Sequence, residues 1–125
     1  MRTMGNPEIR CQIAKIHEWF LKLYQMKREK VTSDPESYKA FKSSADQQKV
    51  FYKEHLAVMN RQLTEIVKSA TVQKKLTKHS IKKTVALLFE TTTGFHNPTM
   101  VARHLNEKRQ NLLEQVLDVV LAGLS

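Results

Sequence analysis

At 125 residues the chain has the usual size of one folded domain, and 41% hydrophobic with 26% charged residues is ordinary for a globular protein. Three glycines and three prolines leave too little turn chemistry for a multi-stranded β fold, and a single cysteine, Cys11, excludes an internal disulfide framework and a thiolate zinc site. A net charge of +9 suits an acidic protein segment, nucleic acid or anionic lipid as partner, or is simply a basic solvated surface.

Each proline follows an Asx residue, at Asn6-Pro7, Asp34-Pro35 and Asn97-Pro98. Asn and Asp accept the unpaired amides of a first helical turn, and proline in that turn loses no donor the helix needs, so three helix starts are expected. Glu8 and Glu36 follow where negative charge suits the helix dipole. The first helix is expected from Pro7 to about Lys30, with Ile9, Ile13, Ile16, Trp19, Phe20, Leu23, Tyr24 and Met26 on one face and Cys11 away from it.

A second helix is expected from Pro35 to about Ala70, roughly 50 Å long at about 1.5 Å per residue, carrying Tyr38, Phe41, Ala45, Tyr52, Leu56, Met59, Leu63, Ile66 and Val67 in phase. Ser44-Ala45-Asp46-Gln47 reads as a capping box that would kink or restart it. Phe51 and Val58 form a small stripe off the main face, suited to packing against a third helix or to a partner contact. From Thr71 to Thr93 two pieces are expected, with Ser80 capping the second. Gly94 is expected to be a left-handed stop, with Phe95 folding back onto the last turn.

The last helix is expected from Pro98 to just before Gly123. Its apolar side is Val101, Ala102, Leu105, Leu112, Leu113, Val116, Val119 and Val120, interrupted by Lys108 and Arg109. The expected fold is therefore all-α: an antiparallel bundle of four principal helices, or five if the Thr71–Thr93 segment splits, in one domain spanning 1–125.

Charge divides along the same boundaries. Residues 1–31 carry a net +4, 32–70 a net +1, 71–96 a net +4, and 97–125 balance to zero. The excess sits at Lys22, Lys27, Arg28 and Lys30, and at Lys74, Lys75, Lys78, Lys82 and Lys83 with His79 among them. The first group also complements a helix C-terminus, which is a purely structural role. The second straddles a helix junction with only Glu90 as a local acid, and is the better candidate for binding. The expected partner-binding residues are thus Lys74, Lys75, Lys78, Lys82 and Lys83, joined by Lys27, Arg28 and Lys30, with Phe51 and Val58 as an apolar contact.

An acidic or acidic-hydrophobic segment of a partner protein fits this pattern best, since a bundle offers grooves between helices. Non-specific nucleic-acid binding through the same lysines is the alternative, because lysines neutralise phosphates but read bases poorly. A membrane surface is disfavoured because Val72, Leu76 and Ile81 are better explained as core, and homo-oligomerisation stays open. The five histidines show no paired helical ligand spacing and there is no phosphate-cradling glycine loop, so neither an enzyme nor a cofactor is expected.

Lys68-Ser69-Ala70-Thr71 followed by Lys74-Lys75-Leu76-Thr77-Lys78-His79-Ser80 resembles, with a gap and without the Ile-Gly step, part of the N-terminal helical domain of transcription elongation factors. That resemblance implies a compact bundle binding short acidic-hydrophobic motifs. A secreted helical cytokine is the reading from another class. Met1–Gly5 lacks the apolar run of a signal peptide, and an intracellular setting, nucleus or cytoplasm, is expected.

Overall fold

The structure, a computed structural model, describes the backbone of residues 7–33, 36 and 50–125, and the side chains of 12–33, 36, 53–97 and 99–125. The capping box at 44–47, the Asp34-Pro35 start, and the side chains of Cys11 and Phe51 lie outside these. Among the described residues are five α-helices: α1 (Pro7–Ser33), α2 (Val50–Val72), α3 (Ile81–Thr91), α4 (Pro98–Arg103) and α5 (Gln110–Leu124). A short 3₁₀ turn, Thr93–Phe95, lies between α3 and α4.

α1 and α2 run antiparallel, because Trp19 Nε1 donates to Gln62 Oε1 at 3.0 Å while Lys27, two turns further on, meets His55. α2 packs on α3, α3 on α5, and α1 reaches both α4 and α5. The core is continuous. Ile16, Phe20 and Tyr24 of α1 pack with Leu63, Val67 and Ala70 of α2, Val85 and Leu88 of α3, and Leu113, Leu117, Leu121 and Leu124 of α5. Trp19, Phe20 and Phe89 meet edge-to-face, with centroids 4.9 to 6.0 Å apart.

From Ile13 onward the expected face of α1 is the core face, except that Met26 is 48% exposed and Lys27 is buried in its place. Helix phase alone does not separate the two positions, and the long apolar stem of lysine lets it line a core wall. Asn97 caps α4 as expected, its Oδ1 accepting from the amides of Thr99 and Met100 at 3.0 and 3.3 Å. Ser80 likewise caps α3, Oγ accepting from Lys83 N at 3.1 Å.

Three expectations are corrected. The Thr71–Thr93 segment does not supply two helices, because α2 ends at Val72 and residues 73–80 form a non-helical link. That link closes as a Schellman motif: Lys75 N donates to Ala70 O at 2.8 Å and Lys74 N to Thr71 O at 2.9 Å. Lys74 holds the left-handed position at φ 62°, usually given to glycine, and Leu76, at φ 54°, is turned into the core with 1% of its surface exposed.

Secondly, Gly94 is not left-handed, since no described glycine has positive φ. It lies in the 3₁₀ turn, where the hydroxyls of Thr92 and Thr93 satisfy the carbonyls of Leu88 and Phe89, and Phe95 is buried as expected.

Thirdly, the last helix is broken into α4 and α5 by residues 104–109. An unbroken helix would carry Lys108 and Arg109 onto the core line of Val101. Instead His104 and Glu107 close a turn, their side chains 2.6 Å apart, and α5 restarts in a new phase. Leu113, Leu117, Leu121 and Leu124 take the buried positions, while Leu112 and Val119 are left 45% and 74% exposed. Gly123 does not stop α5, which runs through it to Leu124.

A non-glycine residue in the left-handed region costs about 1 to 2 kcal/mol. Lys74→Gly is therefore expected to raise unfolding stability by about 1 kcal/mol in urea titrations. Leu117→Ala, at a fully buried position, is expected to lower it by about 2 to 5 kcal/mol.

Candidate interaction surfaces

The second lysine cluster lies on the link between α2 and α3 and the first turn of α3. Lys74, Lys75, Lys78, Lys82 and Lys83 are all exposed. The Schellman turn and the Ser80 cap fix the backbone that carries them, and Lys78 Nζ donates to Gly123 O at 3.3 Å, which ties this edge to the end of α5. Five cations are thus carried by one short run of chain.

The first cluster is placed differently. Lys27 is 7% exposed, and its ammonium donates to His55 Nε2 at 3.2 Å. Burial, and then the charge of Lys30, pushes the Lys27 pKa down to about 8. His55 is lowered by its own burial first and by the two lysines after it. Arg28 turns inward, with Nη2 donating to Leu105 O at 2.8 Å and its guanidinium 5.8 Å from the Tyr24 ring. Lys27 and Arg28 therefore build the bundle, and of that trio only Lys30 is exposed.

Val58 is 41% exposed, and no helix among the described residues covers it. It lines a groove of about 320 Å³ between α1 and α2 with Trp19, Lys22, Leu23, Met26, His55, Met59 and Gln62.

The apolar side expected for the last helix divides between the core and the surface. α5 carries two apolar faces. One, Leu113, Leu117, Leu121 and Leu124, is in the core. The other, Leu112, Val116, Val119 and Gly123, recurs at intervals of four, three and four, the spacing of a helix–helix seam, and faces out, with Val116 half-buried. The spacing was visible in the sequence, but an apolar arc this wide gives no single core line. α5 holds Glu114 and Asp118 and no cation.

His96 sits where the 3₁₀ turn ends, packed against Phe20 and Phe89, with Nε2 3.3 Å from Phe89 O and 3.2 Å from Thr92 Oγ1. Burial pushes its pKa down to about 4, partly countered by the Phe89 carbonyl and reinforced by the charge of Lys27. No group of three or more His, Cys, Asp or Glu side chains suited to holding a metal occurs among the described residues. No helix among them is long and apolar enough to cross a membrane.

These features belong to an all-α helical bundle. The family model for the tetracyclin repressor-like C-terminal domain matches residues 13–117, and the chain belongs to that family. Domains of this family are non-catalytic and regulatory, and often mediate homodimerisation. No curated protein and no solved structure matches the chain. The family assignment gives no support to the cytokine reading or to the elongation-factor resemblance.

His96 also sets a pH dependence. The folded state keeps it neutral down to about pH 4, whereas an unfolded chain protonates it near 6.5. Its contribution is complete above pH 6.5 and is lost as pH falls through 4, up to about 3 kcal/mol at about 1.36 kcal/mol per pH unit. Denaturant titrations from pH 7 to 4 are expected to show this loss, and His96→Phe, which keeps a ring against Phe20, is expected to flatten that part of the curve.

Proposed function

We propose that the chain is a non-catalytic regulatory domain that pairs with a second copy of itself along the outer face of α5. One observation carries this reading: α5 turns Leu112, Val119 and Gly123 outward in line with the half-buried Val116, an apolar seam whose outer positions are exposed. A two-fold pairing needs a self-complementary patch, and an apolar seam is one. The charge distribution agrees. Two chains of +9 repel, yet residues 97–125 are neutral overall and α5 carries no cation, so this is the face along which two copies approach at least electrostatic cost.

The lysine edge supports a second reading, in which an acidic or acidic-hydrophobic segment of a partner protein binds Lys74, Lys75, Lys78, Lys82 and Lys83. Its support is the fixed backbone beneath these side chains and the tether of Lys78 to the end of α5. Lys27 and Arg28, turned inward, play no part in that surface. Non-specific binding of nucleic acid at the same lysines is separated by its steep loss of affinity with salt.

In sedimentation equilibrium the chain is expected to show the mass of a dimer, and Val119→Glu that of a folded monomer. A wild-type monomer at all concentrations up to about 100 μM, a range weaker than the affinities of specific pairs, would contradict the pairing. For the lysine edge, changing Lys75, Lys82 and Lys83 to glutamate, which spares the Lys78 contact with Gly123, is expected to abolish capture of an acidic peptide while leaving the dimer intact. Unchanged capture by the folded variant would remove that surface.

A further inference from the structure

Resting on the α5 pairing proposed above, we infer that an acidic protein segment held on the lysine edge strengthens that pairing, so that the edge regulates the seam. The first observation is where the edge sits. Lys78 Nζ donates to Gly123 O at 3.3 Å, and Gly123 is the last position of the seam. A side chain built at Gly123 would meet nothing within 4 Å, so this end of the seam is open to a close approach. At the other end of α5, Arg109 Nη1 donates to Gly94 O at 2.9 Å. α3 and α5 thus lie antiparallel, and Lys82 and Lys83, in the first turn of α3, stand at the Gly123 end with Lys78. A helix of a second copy that packs on Gly123 meets this group of cations.

The second observation is what pairing does to those charges. A two-fold axis across α5 sets the Gly123 end of one copy against the Leu112 end of the other, where Lys108 and Arg109 precede the helix. An axis along α5 sets the two lysine edges side by side. Either arrangement brings cations toward cations at the ends of an uncharged seam, and like charges repel over about 8 Å at physiological salt. Little in the chain offsets this. None of the five lysines forms an ion pair with a described residue. Glu90, the one acid in residues 71–96, is about 12 Å along α3 from Lys82 at about 1.5 Å per residue.

A segment carrying several carboxylates turns that repulsion into attraction. By linkage, it binds the pair more tightly than the single chain by the same factor that it strengthens pairing. Protein suits the edge better than nucleic acid. Residues 72–83 hold no arginine to read bases and no ring to stack on them except the half-buried His79. Val72, 74% exposed and two residues before Lys74, offers an apolar contact that an acidic-hydrophobic segment covers.

The test is sedimentation equilibrium of the whole chain with a glutamate-rich peptide containing leucine, with its glutamine counterpart, and with a single-stranded oligonucleotide. The glutamate peptide is expected to lower the pairing dissociation constant about tenfold, an ordinary size for coupling between two sites, and the glutamine peptide to leave it unchanged. Raising sodium chloride from about 50 to about 300 mM is expected to tighten the pair as well, because screening weakens the same repulsion. The combined variant Lys75→Glu, Lys82→Glu and Lys83→Glu is expected to pair at least as tightly as the wild type and to ignore the peptide. Pairing that the glutamate peptide leaves unchanged or weakens overturns the inference and leaves the seam standing. Tightening by the oligonucleotide alone overturns the choice of an acidic protein segment. A monomer under every condition removes the seam pairing itself, and its regulation with it.

Discussion

Burial of Leu113, Leu117, Leu121 and Leu124 holds the bundle closed. α1 contacts α2, and α2 contacts α3, while α5 packs against both α1 and α3 and adds to the direct contact of Trp19 and Phe20 with Phe89. Each of those leucines, taken from water to full burial, contributes about 1.5 to 3 kcal/mol, so their sum is comparable to the whole net stability of a domain. The phase of α5 is therefore not free. The turn at 104–109 exists to set it, and the Arg109 guanidinium on Phe95 and the Gly94 carbonyl anchors that turn to the end of α3.

Fixing the phase has a second effect. A helix apolar over one stripe buries that stripe and leaves a polar back. α5 is apolar over a wider arc, so satisfying the core leaves Leu112, Val116 and Val119 on the rim or outside it. Membership of the tetracyclin repressor-like C-terminal family and an unfilled helix seam are consistent with one another on this physical ground. The break between α4 and α5 also holds Arg28, whose Nη2 donates to Leu105 O.

The residues stated some of this directly. Asn97-Pro98 and Ser80 are local signals, each carried by a side-chain oxygen and a nearby amide, and both act in the structure as they read. The α1 stripe was legible because its polar side is unbroken. What was not legible depends on contacts distant in sequence. Lys74 in a glycine position leaves no trace in composition, since the penalty is offset by turning Leu76 into the core. Lys27 and Arg28 read as surface charge because their partners, His55 on α2 and the Leu105 carbonyl in the 104–109 turn, are distant in sequence. The wide apolar arc of α5 gives no single core line, so the apolar side expected from sequence includes Leu112 and Val119 and omits the buried Leu117, Leu121 and Leu124.

Charge segregation and apolar exposure thus divide the molecule. Lysines gather where α2 turns into α3, arginines close on the start of α5, and the uncharged seam lies along α5 between these ends. Whether a second copy occupies that seam is best tested by isotope-filtered NOE spectroscopy on a mixture of methyl-labelled and unlabelled chains. Intermolecular NOEs confined to the methyl groups of Leu112, Val116, Val119 and their neighbours are the predicted result. Their complete absence, or their appearance only at the α1–α2 groove around Val58 and Met26, would contradict the account.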